Sequence, residues 1–399
     1  MVPPCRNGAL LHLDRIPVIG RFPKLTGKAV TVFLTGATGF LGGAVLAESL
    51  DSSRVDEVVC LVRGADQESV EERVRRSASR FGLAGPLPDK VKVLRGDLLS
   101  DDWHQAPELD RVTHVLHLAA STSFGPQECV RKTNVQGALS VAKAMRGRRI
   151  ERYIHTGTAT ICGARPPGVV HEDESPSDNA RHLVAYTRSK AEAERQLAAR
   201  FRDLPIVVAR PSIVVGDTRF GCAPSGSIFW VLRAVEALRF IAWDPHSRID
   251  VVPVDWAAAA MVHLLVTPNL RHSRYHVSAG AGRAIRWEDL AAEYARLRGD
   301  SARDRYETGQ ISQLTPQRIR KAFGSGHPRH LRHALELYAR FCSLDLVFDN
   351  QRLLDEGVPA PPRFTDYMQI CLESSPMSIY EQMRSDFEPS LALASEIYA

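Results

Sequence analysis

The chain is short of several things that would have settled its class early. Its 399 residues contain no run of eighteen uncharged apolar residues, so no membrane-spanning helix is expected. Its seven cysteines, at 5, 60, 129, 162, 222, 342 and 371, form no CxxC pair and are odd in number. A disulfide framework and a structural zinc site are therefore not expected, and a reducing compartment fits best. The first twenty-two residues, MVPPCRNGALLHLDRIPVIGRF, lack the ordered charged, apolar and small-residue regions of a secretory signal. A cytoplasmic protein is the expectation. There is no internal repeat and no low-complexity segment. The charge excess is small: 51 Lys and Arg against 46 Asp and Glu give +5. That balance does not point to nucleic acid, but it allows an acidic protein partner or a phosphorylated cofactor.

What is present is an alternation. Short apolar runs occur at 29–36, 57–63, 90–97, 113–120, 152–158 and 205–211. They are rich in Val, Ile and Leu and lack period-2 polarity, as strands buried on both faces do. Helical patterns fall between them at 41–51, 67–81, 126–147 and 185–203. Strand–helix–strand repetition predicts an α/β fold with a doubly wound parallel sheet of the Rossmann type and a smaller, mainly helical C-terminal substrate-binding region. The expected division is an N-terminal arm over 1–28 and a dinucleotide-binding domain over 29–215, to which 250–280 returns. A substrate-binding or lid region is expected over 216–249 and 281–399. From 287 onward only helical patterns are visible, with a basic run that includes Arg296, Arg298, Arg303, Arg305, Arg318, Arg320, Lys321, Arg329 and Arg332. Such a run reads first as a solvated helix face, and second as a docking surface for an acidic partner.

Thr35-Gly36-Ala37-Thr38-Gly39-Phe40-Leu41-Gly42 directly follows the first strand. Gly36 permits the tight turn, Gly39 lets the backbone approach a pyrophosphate, and Gly42 lets the helix pack close to the sheet. The helix N-terminus then offers free N–H groups to the negative charge. An NAD-type site places an acid at the end of the second strand. Here that strand ends in CLVRG, with Arg63 in that region. A guanidinium pairs with a 2′-phosphate, so NADPH is the expected cofactor. Asp66 reads as the cap of the next helix. Asp97 in Gly96-Asp97-Leu98 is placed to accept a hydrogen bond from the adenine amine.

Tyr186 and Lys190 stand four residues apart, on one helix face. A neighbouring ammonium, together with the charge of an oxidised nicotinamide, favours the phenolate and is expected to lower the tyrosine pKa, fitting it to exchange a proton with a carbonyl or alcohol oxygen. Thr158 ends the strand at 152–158, where a hydroxyl points into the ligand crevice of an open α/β sheet. Cys162, four residues on, reads as an incidental buried thiol. Phe229, Trp230, Phe240 and Trp243 in the segment 220–243 are candidates to cover an acyl chain or a pantetheine arm, although core packing explains such aromatics equally well.

TGATGFLG (35–42), GDLL (96–99), HLAA (117–120), NVQG (134–137), the Thr158 strand end, YTRSK (186–190) and RPSIVVGD (210–217) occur in order. Over 29–280 the chain resembles the extended short-chain dehydrogenase/reductases. The resemblance implies Tyr186 as acid/base, Lys190 as its activator and ribose anchor, Thr158 as carbonyl orienter and Asn134 as a supporting polar group. It also places Thr38, Phe40, Leu41, Leu98, Ala119, Pro211 and Ile213 along the cofactor. VVCLVRG and IDVVPVDWAAAAMVHLL (249–265) are most similar to the thioester reductases and fatty acyl-CoA reductases. Those enzymes often carry Ser-Thr where this chain has Gly157-Thr158. The implied reaction is NADPH-dependent reduction of an acyl thioester, borne by coenzyme A or a carrier protein, to an aldehyde or alcohol. The alternatives are a dehydrogenase, ketoreductase or epimerase acting on an alcohol, steroid or nucleotide sugar, and a non-catalytic NADPH-binding regulator.

Overall fold

The computed structural model describes residues 22, 27–122, 127–175, 177–222, 228–300, 306–323, 328–375 and 378–383. The expected arm lies almost wholly outside these residues, as do 223–227, Arg303 and Arg305. Strands β1 (Val30–Thr35), β2 (Val55–Val62), β3 (Val91–Arg95), β4 (His114–His117) and β5 (Arg152–Thr156) coincide with the apolar runs. They join a later strand (Ile206–Pro211) and Arg274–Val277 in one seven-stranded parallel sheet. From one edge its order is Arg274–Val277, Ile206–Pro211, β5, β4, β1, β2, β3. The chain winds outward in one direction from β1 to β3, then in the other from β4. The crevice at the C-terminal ends of β1 and β4 is therefore the switch point where ligands bind in such sheets.

Helices α1 (Phe40–Asp51), α2 (Gln67–Ser79), α3 (Gln127–Arg131), α4 (Gly137–Met145) and α5 (Ala185–Arg200) cover the two faces. One apolar cluster joins Leu34, Val58 and Ile154 to α1 and to a helix at Val254–Val266. That helix is buried along its whole length, as an all-round apolar sequence requires. The opposite cluster joins Phe33, Val115 and Tyr153 to α4 and α5. Phe33, Leu34, Val115, Tyr153 and Ile154 are all fully buried, which is why these strands show no polar alternation. Asp66 caps α2, its carboxylate accepting from the Ser69 N–H at 2.8 Å.

A third cluster packs the helix Phe229–Leu238 against Trp287–Leu297, Pro328–Cys342 and Phe364–Glu373. The region after 287 is not purely helical. Leu346–Phe348 is a strand that pairs in parallel with Gly168–Val170, and Glu307–Thr308 pairs with Phe240–Ile241. Two- and three-residue strands leave no readable period, and their partners lie far away in sequence. Among the described residues no helix is long and apolar enough to cross a membrane.

Candidate active site

The glycine turn is built by close approach. Gly36 has φ +82°, and a Cβ there would lie 2.7 Å from the Ala119 N. Such a φ disfavours a side chain, and the contact leaves no room for one. A Cβ on Gly42 would stand 1.9 Å from the Gly36 carbonyl oxygen, so that glycine is fixed by the turn it packs beneath. The Gly39 N–H closes the turn on Gly36 O at 2.9 Å. Gly39 is the N-cap of α1, and no side chain caps that terminus. The first N–H groups of α1 remain available to an anion. Ala119 N–H donates to Thr35 Oγ1 at 3.3 Å, and Thr35 Oγ1 bonds His117 Nδ1 at 2.7 Å. These bonds lock the ends of β1 and β4 on either side of the crevice. Thr38, Phe40 and Leu41 lie on the turn and the first turn of α1.

At the neighbouring strand ends the Arg63 side chain is 81% exposed, and its Nη1 lies 3.6 Å from Asp97 Oδ2. Asp97 Oδ1 accepts from the Leu99 N–H at 2.9 Å, which fixes the turn that carries Leu98. The Leu98 side chain packs beside Gly137. Arg73 donates to the Arg63 carbonyl, and Arg95 donates to the Ala65 carbonyl at 3.3 Å. Three guanidinium groups thus gather around the turn after β2. A glycine cradle, an uncapped helix N-terminus and a cationic strand end fit a dinucleotide.

The residues expected to be reactive stand one strand further along. Thr158 follows β5 and caps a short 3₁₀ turn, accepting from the Thr160 N–H at 3.4 Å. Its hydroxyl also bonds Thr160 Oγ1 at 3.0 Å and donates to Pro211 O at 3.4 Å. The Tyr186 hydroxyl neighbours the Thr158 side chain, and both residues line one cavity. Burial raises the Tyr186 pKa to about 12, and the Thr158 hydroxyl offsets only part of that rise. In the protein alone, burial outweighs the lysine; the expected lowering also drew on the charge of an oxidised nicotinamide. Lys190 is 2% exposed, and its Nζ donates to the Thr156 carbonyl at 2.7 Å. Desolvation lowers the Lys190 pKa to about 8, against the pull of Glu194 one turn along α5. At neutral pH the phenol is protonated and the amine still mostly charged.

Asn134 sits in a π-helical turn, Lys132–Gln136, between α3 and α4. Its Oδ1 accepts from Ser121 N–H at 2.7 Å, and its Nδ2 donates to Ser121 O and Ser189 Oγ, both at 2.9 Å. Ser189 Oγ in turn donates to Tyr186 O at 2.7 Å. Asn134 is thus a clamp between the loop after β4 and helix α5, and both of its amide protons are spent on that clamp. The extra backbone residue of a π turn often marks a functional site.

Gly157 has a physical reason to lack a side chain. A Cβ there would meet Glu194 Oε1 at 2.2 Å. The space is filled by the buried ion pair of Glu194 with Arg210, at 2.8 Å.

Thr158, Thr160 and Tyr186 line a cavity of about 290 Å³, a size at the small end for ligand pockets. Its other walls are mainly apolar: Ile213, Val214, Ile228, Ile249, Phe341 and Leu346 are among them. Arg248 also reaches it, held by Asp345 at 3.1 Å. Ile213 therefore lines the cavity beside the hydroxyls, while Pro211 contributes the carbonyl that holds Thr158.

The aromatic assignment is corrected. Phe229 and Trp230 have no exposed surface, and Trp243 has 8%. None of the three reaches the cavity. Phe229 packs edge-on against Phe364, Trp230 against Tyr338 and Trp243 against Trp287. Sequence missed the true wall, Tyr338 to Phe348, because a helix and a three-residue strand from the far C-terminus supply it. Cys162 borders a separate cavity, and burial pushes its thiol up to about 11. Among the described residues no cluster of His, Cys, Asp and Glu could hold a metal ion.

Comparison with known proteins bears on the fold and the family. A nonribosomal peptide synthetase, asaC, of Aspergillus flavus is 30% identical over 259 residues, covering 59% of this chain and 25% of that protein. This chain thus spans about a quarter of that relative's length. The terminal R domain of the myxalamid PKS-NRPS pathway superposes with TM-score 0.69 at 23% identity, over 88% of this chain and 92% of that one. A thiolation-reductase di-domain of an archaeal nonribosomal peptide synthetase gives TM-score 0.68 at 16% identity, over 90% and 77%. The family model described as male sterility protein matches residues 34–261, from β1 through the helix Val254–Val266. The chain belongs to that NAD-binding family, built on the extended short-chain dehydrogenase/reductase fold.

Proposed function

We propose that the protein reduces an acyl thioester to an aldehyde or alcohol with NADPH. The observation that carries this reading is that the neighbouring hydroxyl residues Thr158 and Tyr186 share the wall of a mainly apolar cavity. Two hydroxyls there converge where a carbonyl oxygen would lie, and the apolar walls suit an acyl chain better than a sugar. The reductase domains named among the structural neighbours add support.

The glycine turn and the α1 N-terminus would hold the pyrophosphate, and Arg63 with Arg73 and Arg95 would meet the 2′-phosphate. NADPH, when bound, supplies the hydride that adds to the acyl carbon. As that carbon becomes tetrahedral, its oxygen gains negative charge. Thr158 and Tyr186 donate hydrogen bonds to it, strongest when the charge is greatest. The tyrosine proton passes to that oxygen, so a phenol kept protonated by burial suits this direction of reaction. Lys190, charged and held on Thr156 O, stabilises the tyrosinate left behind. Asn134 fixes helix α5, and with it Tyr186, relative to the crevice. The hydroxyl so formed then returns its proton to the tyrosinate as the carbon–sulfur bond breaks, the leaving thiolate takes a proton from water, and an aldehyde remains. A second round would give the alcohol. The described residues within 216–249 and 281–383 would form the substrate side of the molecule in this reading, and no cysteine is needed as a nucleophile.

Incubation with NADPH and octanoyl thioesters should consume NADPH and release free thiol in step, with NADH a poorer donor. Consumption of NADPH with ketones but with no thioester would overturn the proposal.

A further inference from the structure

The charge excess of this chain is not spread over its surface. The segment 316–342 holds Arg318, Arg320, Lys321, Arg329, Arg332 and Arg340 against one acid, Glu336. That surplus of five equals the net charge of the whole protein, so the rest of the chain is balanced.

The structure gives the surplus a shape. Helix Pro328–Cys342 buries Leu331, Ala334, Leu335, Tyr338 and Cys342. At 3.6 residues per turn, Arg329, Arg332, His333, Glu336 and Arg340 fall within roughly 60° of one line along its outer face. The stripe runs about 16 Å at 1.5 Å per residue. Arg332 is paired with Glu336 at 3.4 Å. Arg329 and Arg340 are exposed, and among the described residues no carboxylate pairs with either. Arg320 and Lys321, on the packed neighbouring helix Pro316–Phe323, are also exposed. The inner face of the same helix supplies Tyr338, Phe341 and Cys342 to the catalytic cavity. One helix thus forms the cavity wall on its inside and a cationic ridge on its outside.

We infer that this ridge docks an acidic acyl carrier protein and sets its thioester arm at the mouth of the cavity. The inference rests on the thioester reading above and names the bearer of that thioester. Charge and length argue for it. A ridge of about 16 Å is longer than a phosphate group needs, and it matches three turns of an acidic helix. Cations on an exposed rim act mainly on encounter and on salt dependence.

The test uses the full chain and one acyl group, octanoyl, on three bearers: N-acetylcysteamine, coenzyme A, and the phosphopantetheine of an acidic carrier protein. The variant is Arg329→Glu with Arg340→Glu, and Arg329→Gln with Arg340→Gln is the milder control. The reversal should raise KM for the carrier-bound substrate about tenfold or more, equivalent to about 1.4 kcal/mol. The glutamine pair should do so less. Added salt should raise the wild-type KM for that substrate and have little effect on the reversed variant. Turnover of the N-acetylcysteamine ester should change less than twofold in every variant, which also shows that the fold and the cavity survive. An unchanged KM for the carrier-bound substrate, or no turnover of it by wild type, would overturn the docking surface and leave the thioester chemistry standing. An equal rise with octanoyl-CoA would give the ridge to coenzyme phosphates and overturn the protein partner. If wild type releases no thiol from the N-acetylcysteamine ester either, the underlying reaction is what fails.

Discussion

Replacing Thr158 with valine removes one hydroxyl and keeps the β-branched shape. In the resting protein the cost is small. The Thr160 N–H at 3.4 Å loses a long capping bond, and Pro211 O loses a donor also at 3.4 Å. Loss of such a cap costs about 1 kcal/mol. The Tyr186 phenol loses a neighbouring hydroxyl that lowered its pKa and stays protonated. In the transition state the cost is larger. One of the two donors to the developing oxyanion is gone, in a mainly apolar cavity. Loss of a donor of this kind costs about 2.7–4 kcal/mol, or roughly a 10²–10³-fold fall in kcat. The apolar walls still bind the acyl chain, so KM should move little, and kcat and kcat/KM should fall together. Thr160→Val is the control. Thr160 lines the same cavity 3.0 Å from the Thr158 hydroxyl, yet no bond to Tyr186 depends on it. Steady-state kinetics on an octanoyl thioester, with thermal melts of both variants, decide the matter. A fall below about tenfold in Thr158→Val, or an equal fall in Thr160→Val, would refute the assignment of the oxyanion donor.

Three further outcomes follow from the site. Lys190 has a pKa lowered to about 8, so its charge, and with it kcat, should fall as pH rises through that value; Lys190→Met should lose both the activity and that limb of the profile. Arg63→Glu should raise KM for NADPH about 10- to 100-fold, the worth of one lost charge-assisted hydrogen bond, and affect NADH far less; an equal effect on both cofactors would move the 2′-phosphate elsewhere. Gly42→Ala places a Cβ 1.9 Å from Gly36 O, so the turn must open, and cofactor fluorescence titration should show binding lost by more than tenfold in a protein that still melts cooperatively.

Much of this was legible in the sequence because the local rules agreed with the fold. The runs at β1, β2 and β5 are largely buried on both faces, as the strands of a covered parallel sheet are. The glycines at 36 and 42 are fixed by backbone contacts within the turn itself, which sequence spacing records. Tyr186, Lys190 and Thr158 were placed by a helix period and a strand end. Long-range effects were not legible. Burial raises the Tyr186 pKa, an effect of the packed environment that the spacing of Tyr186 and Lys190 does not show. Phe229, Trp230 and Trp243 were assigned to substrate because an aromatic helix does not announce which face it buries. The cavity wall at Phe341, Leu344, Leu346 and Phe348 forms only when Leu346–Phe348 pairs with Gly168–Val170, across more than 170 residues of chain. The ion pair of Glu194 and Arg210 behind Gly157 joins α5 to the strand Ile206–Pro211 and has no sequence signature.

The most direct check follows the hydrogen itself. Wild-type protein and Tyr186→Phe are given NADPH carrying deuterium at its reactive carbon, together with an octanoyl thioester, and the product is read by mass. The account predicts one deuterium in the aldehyde for each thiol released by wild type, and a large loss of that transfer, with NADPH still bound, in Tyr186→Phe. Deuterium absent from the product, or transferred at an undiminished rate without the phenol, would contradict it.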